Sequence, residues 1–290
     1  MRYEGAVFRP PSEADSLIIQ LTIGCARNDC TFCYMYKDKQ FRVRNLDEVI
    51  EDLELAKNFY PKGIIKRIFL ADGDALVVRT KDLLYVINRA KRLFPEIERV
   101  SVYAAPKDIL MKSPEELAAL RNAGLRMVYV GLESGDDVVL RDVRKGVTAA
   151  EMIEAGQKVR AAGIELSMMI ISGLGGKPRL VEHAVNSARV ISQIKPEYLG
   201  FLTLRFFRNT ELYRDYVEGR FLPLSVPEIM QEMLLFLNNV DTEGTIFRAN
   251  HASNYLVLRG ILNADREKLI RTVESAKATN NYRKYVETGF

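Results

Sequence analysis

Ser16-Leu17-Ile18-Ile19-Gln20-Leu21-Thr22-Ile23 runs directly into Gly24-Cys25-Ala26-Arg27-Asn28-Asp29-Cys30-Thr31-Phe32-Cys33. The apolar run predicts a short buried β-strand. The loop that follows holds every cysteine of the 290-residue chain. Three neighbouring thiolates can bind metal, but a tetrahedral ion site or an iron–sulfur cube normally takes four ligands. One coordination position is then left for a group that is not protein. An open position marks a catalytic metal site, a filled one a structural site.

Outward from this loop, apolar runs alternate with helical patterns. Further strands are predicted over 67–71, 99–104, 127–130, 165–171 and 198–204. Asn45 is positioned to cap a helix with Glu48 as reciprocal partner and Val49, Ile50, Leu53 and Ala56 on one face. Thr80 opens a second helix that Pro95 ends. Ser113-Pro114-Glu115-Glu116 supplies cap, first-turn proline and capping glutamate, with Gly124 as the stop. Thr148 and Glu151 start a fourth helix, and a fifth spans about 179–193. Strand then helix, repeated six times, implies parallel strands with crossover helices. The expected fold is α/β, a partial (β/α)6 barrel over residues 1–204. A mainly helical C-terminal extension, 205–290, is expected to cover the barrel mouth.

In such folds ligands sit at the C-terminal ends of the strands. The unusual residues fall there: the cysteine loop, Asp72-Gly73-Asp74, Gly131-Leu132-Glu133-Ser134-Gly135, Ser172-Gly173-Leu174-Gly175-Gly176 and Arg205. Each also has a plainer reading. The 172–176 glycines could simply make a turn, and Asp72 and Asp74 could cap the next segment. Arg205 could pair with a nearby carboxylate. Glu133, between glycines after an apolar run, reads as a ligand group. His251 reads as a hydrogen-bonding loop residue, and His183 as an ordinary helical one.

Net charge is +4 and the pI about 8.8, a mild excess that neither demands nor excludes nucleic-acid or membrane binding. No apolar stretch approaches the roughly 20 residues of a membrane span. An odd number of cysteines argues against a disulfide scaffold. A cytoplasmic protein is expected.

The cysteine loop, the strand exits and the barrel pattern together resemble the radical S-adenosylmethionine (SAM) superfamily over about residues 16–204. Phe32-Cys33 matches the aromatic residue before the last cysteine, and Asp72-Gly73-Asp74 stands where members carry a glycine–glycine–glutamate type motif. Gly131-Leu132-Glu133-Ser134-Gly135, followed by Arg144-Lys145-Gly146, is similar to the branch that includes anaerobic coproporphyrinogen dehydrogenase and the methylthiotransferases. The spacing departs from the family: Cys-x4-Cys-x2-Cys here, Cys-x3-Cys-x2-Cys usually. One extra residue can bulge out at Asn28-Asp29 without moving the thiolates.

The resemblance implies a [4Fe–4S] cluster on Cys25, Cys30 and Cys33, with SAM chelating the remaining iron. Reductive cleavage of SAM would give a 5′-deoxyadenosyl radical that takes hydrogen from a small-molecule substrate. The resemblance implies Phe32 beside the adenine, Asp72, Gly73 and Asp74 at the methionine ammonium, and Glu133 with Ser134 on the ribose or amino group. Ser172 and Gly173 would lie against the adenosine. Arg205, Asn250 and His251 are candidate substrate contacts. The electron donor would be a flavodoxin or ferredoxin; neither membrane nor nucleic acid is expected as a partner. With all three cysteines spent, a second cluster cannot be built. The rival readings are an RNA-modifying radical SAM enzyme and a zinc-stabilised binding protein using Cys25, Cys30, Cys33 and His251.

Overall fold

The computed structural model describes residues 1–283. Within them the chain forms two compact units. The first comprises Met1–Asn28, Cys33–Val130 and Gln157–Leu166; the second comprises Asp29–Phe32, Gly131–Gly156 and the chain from Ser167 onward.

The first unit opens with β1 (Leu17–Gln20), β2 (Thr22–Ile23) and β3 (Arg42–Val43), so the predicted first strand is broken at Leu21. β2 pairs antiparallel with β3. There follow α1 (Leu46–Phe59), β4 (Arg67–Ala71), α2 (Thr80–Leu93), β5 (Arg99–Tyr103), α3 (Pro106–Met111), α4 (Pro114–Ala123) and β6 (Leu125–Glu133). β1 pairs parallel with β4, β4 with β5 and β5 with β6. Ile68, Phe69, Leu70 and Ala71 of β4 are buried, the mark of a strand covered on both faces. Val49, Leu53 and Ala56 of α1 bury the predicted stripe, and Leu83, Val86, Ile87 and Ala90 of α2 are buried. The Ser113 capping box is complete and Gly124 ends α4 at φ 125°. Asn45 caps α1 through the amide of Asp47 alone; Glu48 reaches Arg44 instead. Thr80 caps nothing: its hydroxyl accepts from the buried Lys112 ammonium.

The second unit contains α5 (Asp137–Asp142), α6 (Ala149–Ala161), β7 (Glu165–Ser172), α7 (Leu180–Ile194), β8 (Tyr198–Thr203), α8 (Glu211–Val217), α9 (Val226–Asn239), β9 (Ile246–Ala249), β10 (Leu258–Ile261) and α10 (Arg266–Thr279). β6, α6 and β7 run from one unit into the other along the chain. β7 pairs parallel with β8 and β8 with β9; β10 lies antiparallel to β9. The segment after 204 is therefore not only helical. Its two strands escape the sequence reading because each has four residues and carries an exposed arginine, Arg248 or Arg259. Within the 205–290 segment, residues 284–290 lie outside the described residues. Among the described residues no helix is long and apolar enough to cross a membrane.

Candidate active site

In the first unit Cys25 follows β2 after one glycine, and Gly24 takes φ +75°. Gly73, one residue past the Asp72 that ends the β4 exit, stands against it. A Cβ on Gly73 would lie 2.5 Å from the Tyr36 ring and 3.0 Å from Cβ of Cys25. Only hydrogen fits there, which lets the backbone after β4 approach the cysteine loop. Gly73 N–H donates to the carbonyl of Gly24 at 3.1 Å, closing the contact.

Asp72 is fully buried. Its Oδ2 accepts from Gln20 Nε2 (2.9 Å), the Gly24 amide (3.0 Å) and the Lys39 ammonium (2.8 Å). Its Oδ1 is buried with no partner. A carboxyl group so held caps no helix, and one of its oxygens is unspent. Asp74 is equally buried and accepts from the Ala105 amide at 3.1 Å. Burial, then the neighbouring Asp108 carboxyl, hold Asp74 well above the usual carboxylate range. Asp74 Oδ2 and Asp108 Oδ2 both lack a donor, and the raised proton affinity of Asp74 spares the neighbours a like-charge clash. Arg27 of the cysteine loop lies 3.6 Å from Asp108, tying loop to pair.

In the second unit Cys30 is buried, with Sγ 3.9 Å from the Arg144 carbonyl. Phe32 packs against a core of Val139, Val143, Leu174 and Leu212. The Thr31 amide donates to Val143 O at 3.1 Å, and the Leu212 amide to Thr31 O at 3.0 Å. Glu133 adopts φ 61° and its Oε1 accepts from Lys145 at 3.0 Å. A Cβ on Gly131 would fall 1.9 Å from that oxygen, so the glycine makes room for the carboxylate two residues on. Ser134 and Ser172 are buried. Ser134 Oγ accepts from the Asp136 amide and meets His183 Nδ1 at 2.8 Å. Ser172 and the Gly173 amide both donate to Glu232. Gly173 does make a turn, at φ +85°.

Arg205 follows β8 and places its guanidinium over the Phe207 ring at 5.6 Å. Among the described residues no ion pair to a carboxylate is found for it, and its Nη2 is buried without a hydrogen bond. His251 Nδ1 meets Ser253 Oγ at 2.9 Å; burial and then the charge of Arg205 push its pKa down. Asn250 beside it is exposed. Among the described residues no three His, Cys, Asp or Glu side chains form a group that could hold a metal ion. The ligand role of the cysteines therefore rests on their spacing.

Sequence reasoning missed Lys39, Asp108 and Glu232, named Lys145 only as part of the Arg144-Lys145-Gly146 resemblance, and passed over His183. Only Glu232 left a signal: a lone acid inside the apolar run Ile229-Met230-Gln231-Glu232-Met233-Leu234.

A profile of the family described as the Radical SAM superfamily matches residues 19–186. The chain belongs to the Radical SAM superfamily. It is 25% identical to the heme chaperone HemW of Bacillus subtilis over 202 residues, 66% of this chain and 50% of HemW. The coproporphyrinogen III oxidase HemN of Escherichia coli, a radical SAM enzyme, superimposes with TM-score 0.59 at 16% identity, covering 77% of this chain and 52% of HemN. The radical SAM methyltransferase TsrM of Kitasatospora setae, solved with cobalamin and a [4Fe–4S] cluster, gives TM-score 0.56 at 21% identity over 70% of this chain and 39% of TsrM. These likenesses show the expected α/β partial-barrel class. The chain spans half or less of the curated relatives it matches. A radical SAM protein is an enzyme whose cofactors are a [4Fe–4S] cluster and SAM. The donor set fits them: three thiols in one loop, a glycine cradle against Cys25, and a buried carboxylate oxygen on Asp72 lacking a donor.

Proposed function

We propose that this radical SAM enzyme holds its cluster on Cys25, Cys30 and Cys33 and takes hydrogen from a small metabolite. The observation that carries the reading is the three-cysteine loop at the first strand exit, inside the matched residues 19–186. When bound and reduced, the cluster and SAM supply a 5′-deoxyadenosyl radical. The chain's own part is to bind, orient and exclude water.

Gly73 offers backbone at close range, and Asp72 Oδ1 offers an unspent acceptor for the methionine ammonium. Asp108, beside Asp74 and 3.6 Å from Arg27, would brace the cysteine loop. Glu133 and Ser134 would meet ribose hydroxyls, with Lys145 holding the Glu133 carboxylate in place at 3.0 Å. Ser172 and Gly173 would lie along the adenosine and Phe32 beside the adenine. Arg205 is the substrate contact with the clearest chemistry: a half-buried guanidinium without a carboxylate suits an anionic group. His251, held neutral by burial and by Arg205, and Asn250 complete that side. A flavodoxin or ferredoxin would deliver the electron.

Anaerobic reconstitution with iron and sulfide, followed by dithionite and SAM, should yield 5′-deoxyadenosine by liquid chromatography. A colourless protein that leaves SAM intact refutes the reading.

A further inference from the structure

Two buried titratable side chains of the second unit serve none of the roles above. Glu232 on α9 and His183 on α7 are 2% and 1% exposed. Glu232 Oε2 accepts the hydroxyl of Ser172 and, at 2.8 Å, the amide of Gly173. On the other side Ser134 Oγ accepts the Asp136 amide at 3.0 Å. Ser134 Oγ also meets His183 Nδ1, 2.8 Å away; with the hydroxyl as donor in that contact the ring proton sits on Nε2. That Nε2 faces Glu232 Oε1 across 3.8 Å, and neither atom has a hydrogen-bond partner. The separation is beyond a hydrogen bond, but the two groups are complementary in a site that excludes solvent.

A chain of polar groups, hydrogen-bonded except for the 3.8 Å step between His183 and Glu232, thus runs from the exit of β6 (Ser134) through α7 and α9 to the exit of β7 (Ser172, Gly173). Burying it is costly. Burial raises the proton affinity of Glu232 against the donors that hold its charge, and an apolar side chain of like volume would fill the space at lower cost. What an apolar residue could not do is fix two strand exits to each other.

We infer that Glu232 and His183 are positioning residues that lock the β6 and β7 exits into one rigid adenosine-binding edge. The inference rests on the proposed SAM site. Losing the charge-assisted bonds to Ser172 and Gly173 should weaken SAM binding about tenfold or more.

The test is equilibrium dialysis of SAM against reconstituted protein, with iron content, thermal midpoint and the SAM-induced change in the reduced cluster's electron paramagnetic resonance spectrum. Glu232→Leu should lose affinity and the spectral change while keeping its iron and its thermal midpoint. Glu232→Gln, which can still accept both bonds, should restore most of the affinity. His183→Leu should weaken binding too, and the double variant should be no worse than the poorer single one. Should Glu232→Leu not fold, the Glu232→Gln and His183→Leu pair carries the same comparison. SAM affinity unchanged in every variant, or iron and SAM lost in parallel, overturns the inference while the wild type still binds SAM. A wild type that binds no SAM overturns the functional reading along with it.

Discussion

Glu133 shows how much one residue's surroundings decide. The sequence marks it as a carboxylate between glycines; the fold adds why Gly131 must be glycine and that Lys145 neutralises the charge. Glu133→Ala should raise the dissociation constant for SAM about tenfold, the loss of a charged hydrogen bond, without loss of iron, as measured by dialysis and a ferrozine assay. Asp74 behaves oppositely. Its folded proton affinity is raised by burial and by Asp108. Below the ordinary carboxylate pKa both folded and unfolded chains are protonated and nothing is lost. As pH rises, the unfolded chain ionises first and stability falls until the folded group ionises too. Asp74→Asn cannot ionise, and its amide still reaches Asp108. Its urea midpoint should exceed the wild type's at pH 7, with the gap closing toward pH 4. A constant gap across that range contradicts the raised proton affinity of Asp74.

At the scale of elements, the punctuation was readable. Ser113, Pro114, Glu116 and Gly124 start and stop α4 by local chemistry, so no distant contact is needed to find them. Ser113→Ala should cost about 1 kcal/mol of stability, measured by urea denaturation, with SAM affinity untouched. The fourth helix is started as locally, by Thr148 and Glu151. The breaks in legibility have equally physical causes. The strand predicted over 16–23 is divided at Leu21: its amide still donates to Ala71 of β4, but its carbonyl turns to accept from the Arg44 amide, next to β3. β9 takes its ladder from β8 on one side and β10 on the other; four residues with an exposed arginine carry too little periodicity to announce themselves.

For the molecule as a whole, binding that favours the folded state must stabilise it. SAM at one hundred times its dissociation constant should add about 2.7 kcal/mol, seen as a higher thermal midpoint of the cluster-loaded protein by anaerobic scanning calorimetry. The Cys25→Ala/Cys30→Ala/Cys33→Ala variant should show no such rise; a shift of equal size there would detach SAM binding from the cysteine loop. The sequence by itself determined the alternation of strands and helices, the caps, the family and the residues at the strand exits, because periodicity, turn chemistry and a three-thiol loop are local patterns. Only the tertiary structure decided that Asp74 meets Asp108, that Asp72 takes a lysine from thirty-three residues away, and that His183 and Glu232 join two exits. Those pairings link residues far apart in the chain. Their chemistry depends on burial, which raises or lowers proton affinities and makes each unpaired oxygen costly, and burial is set by packing that no short stretch of sequence encodes.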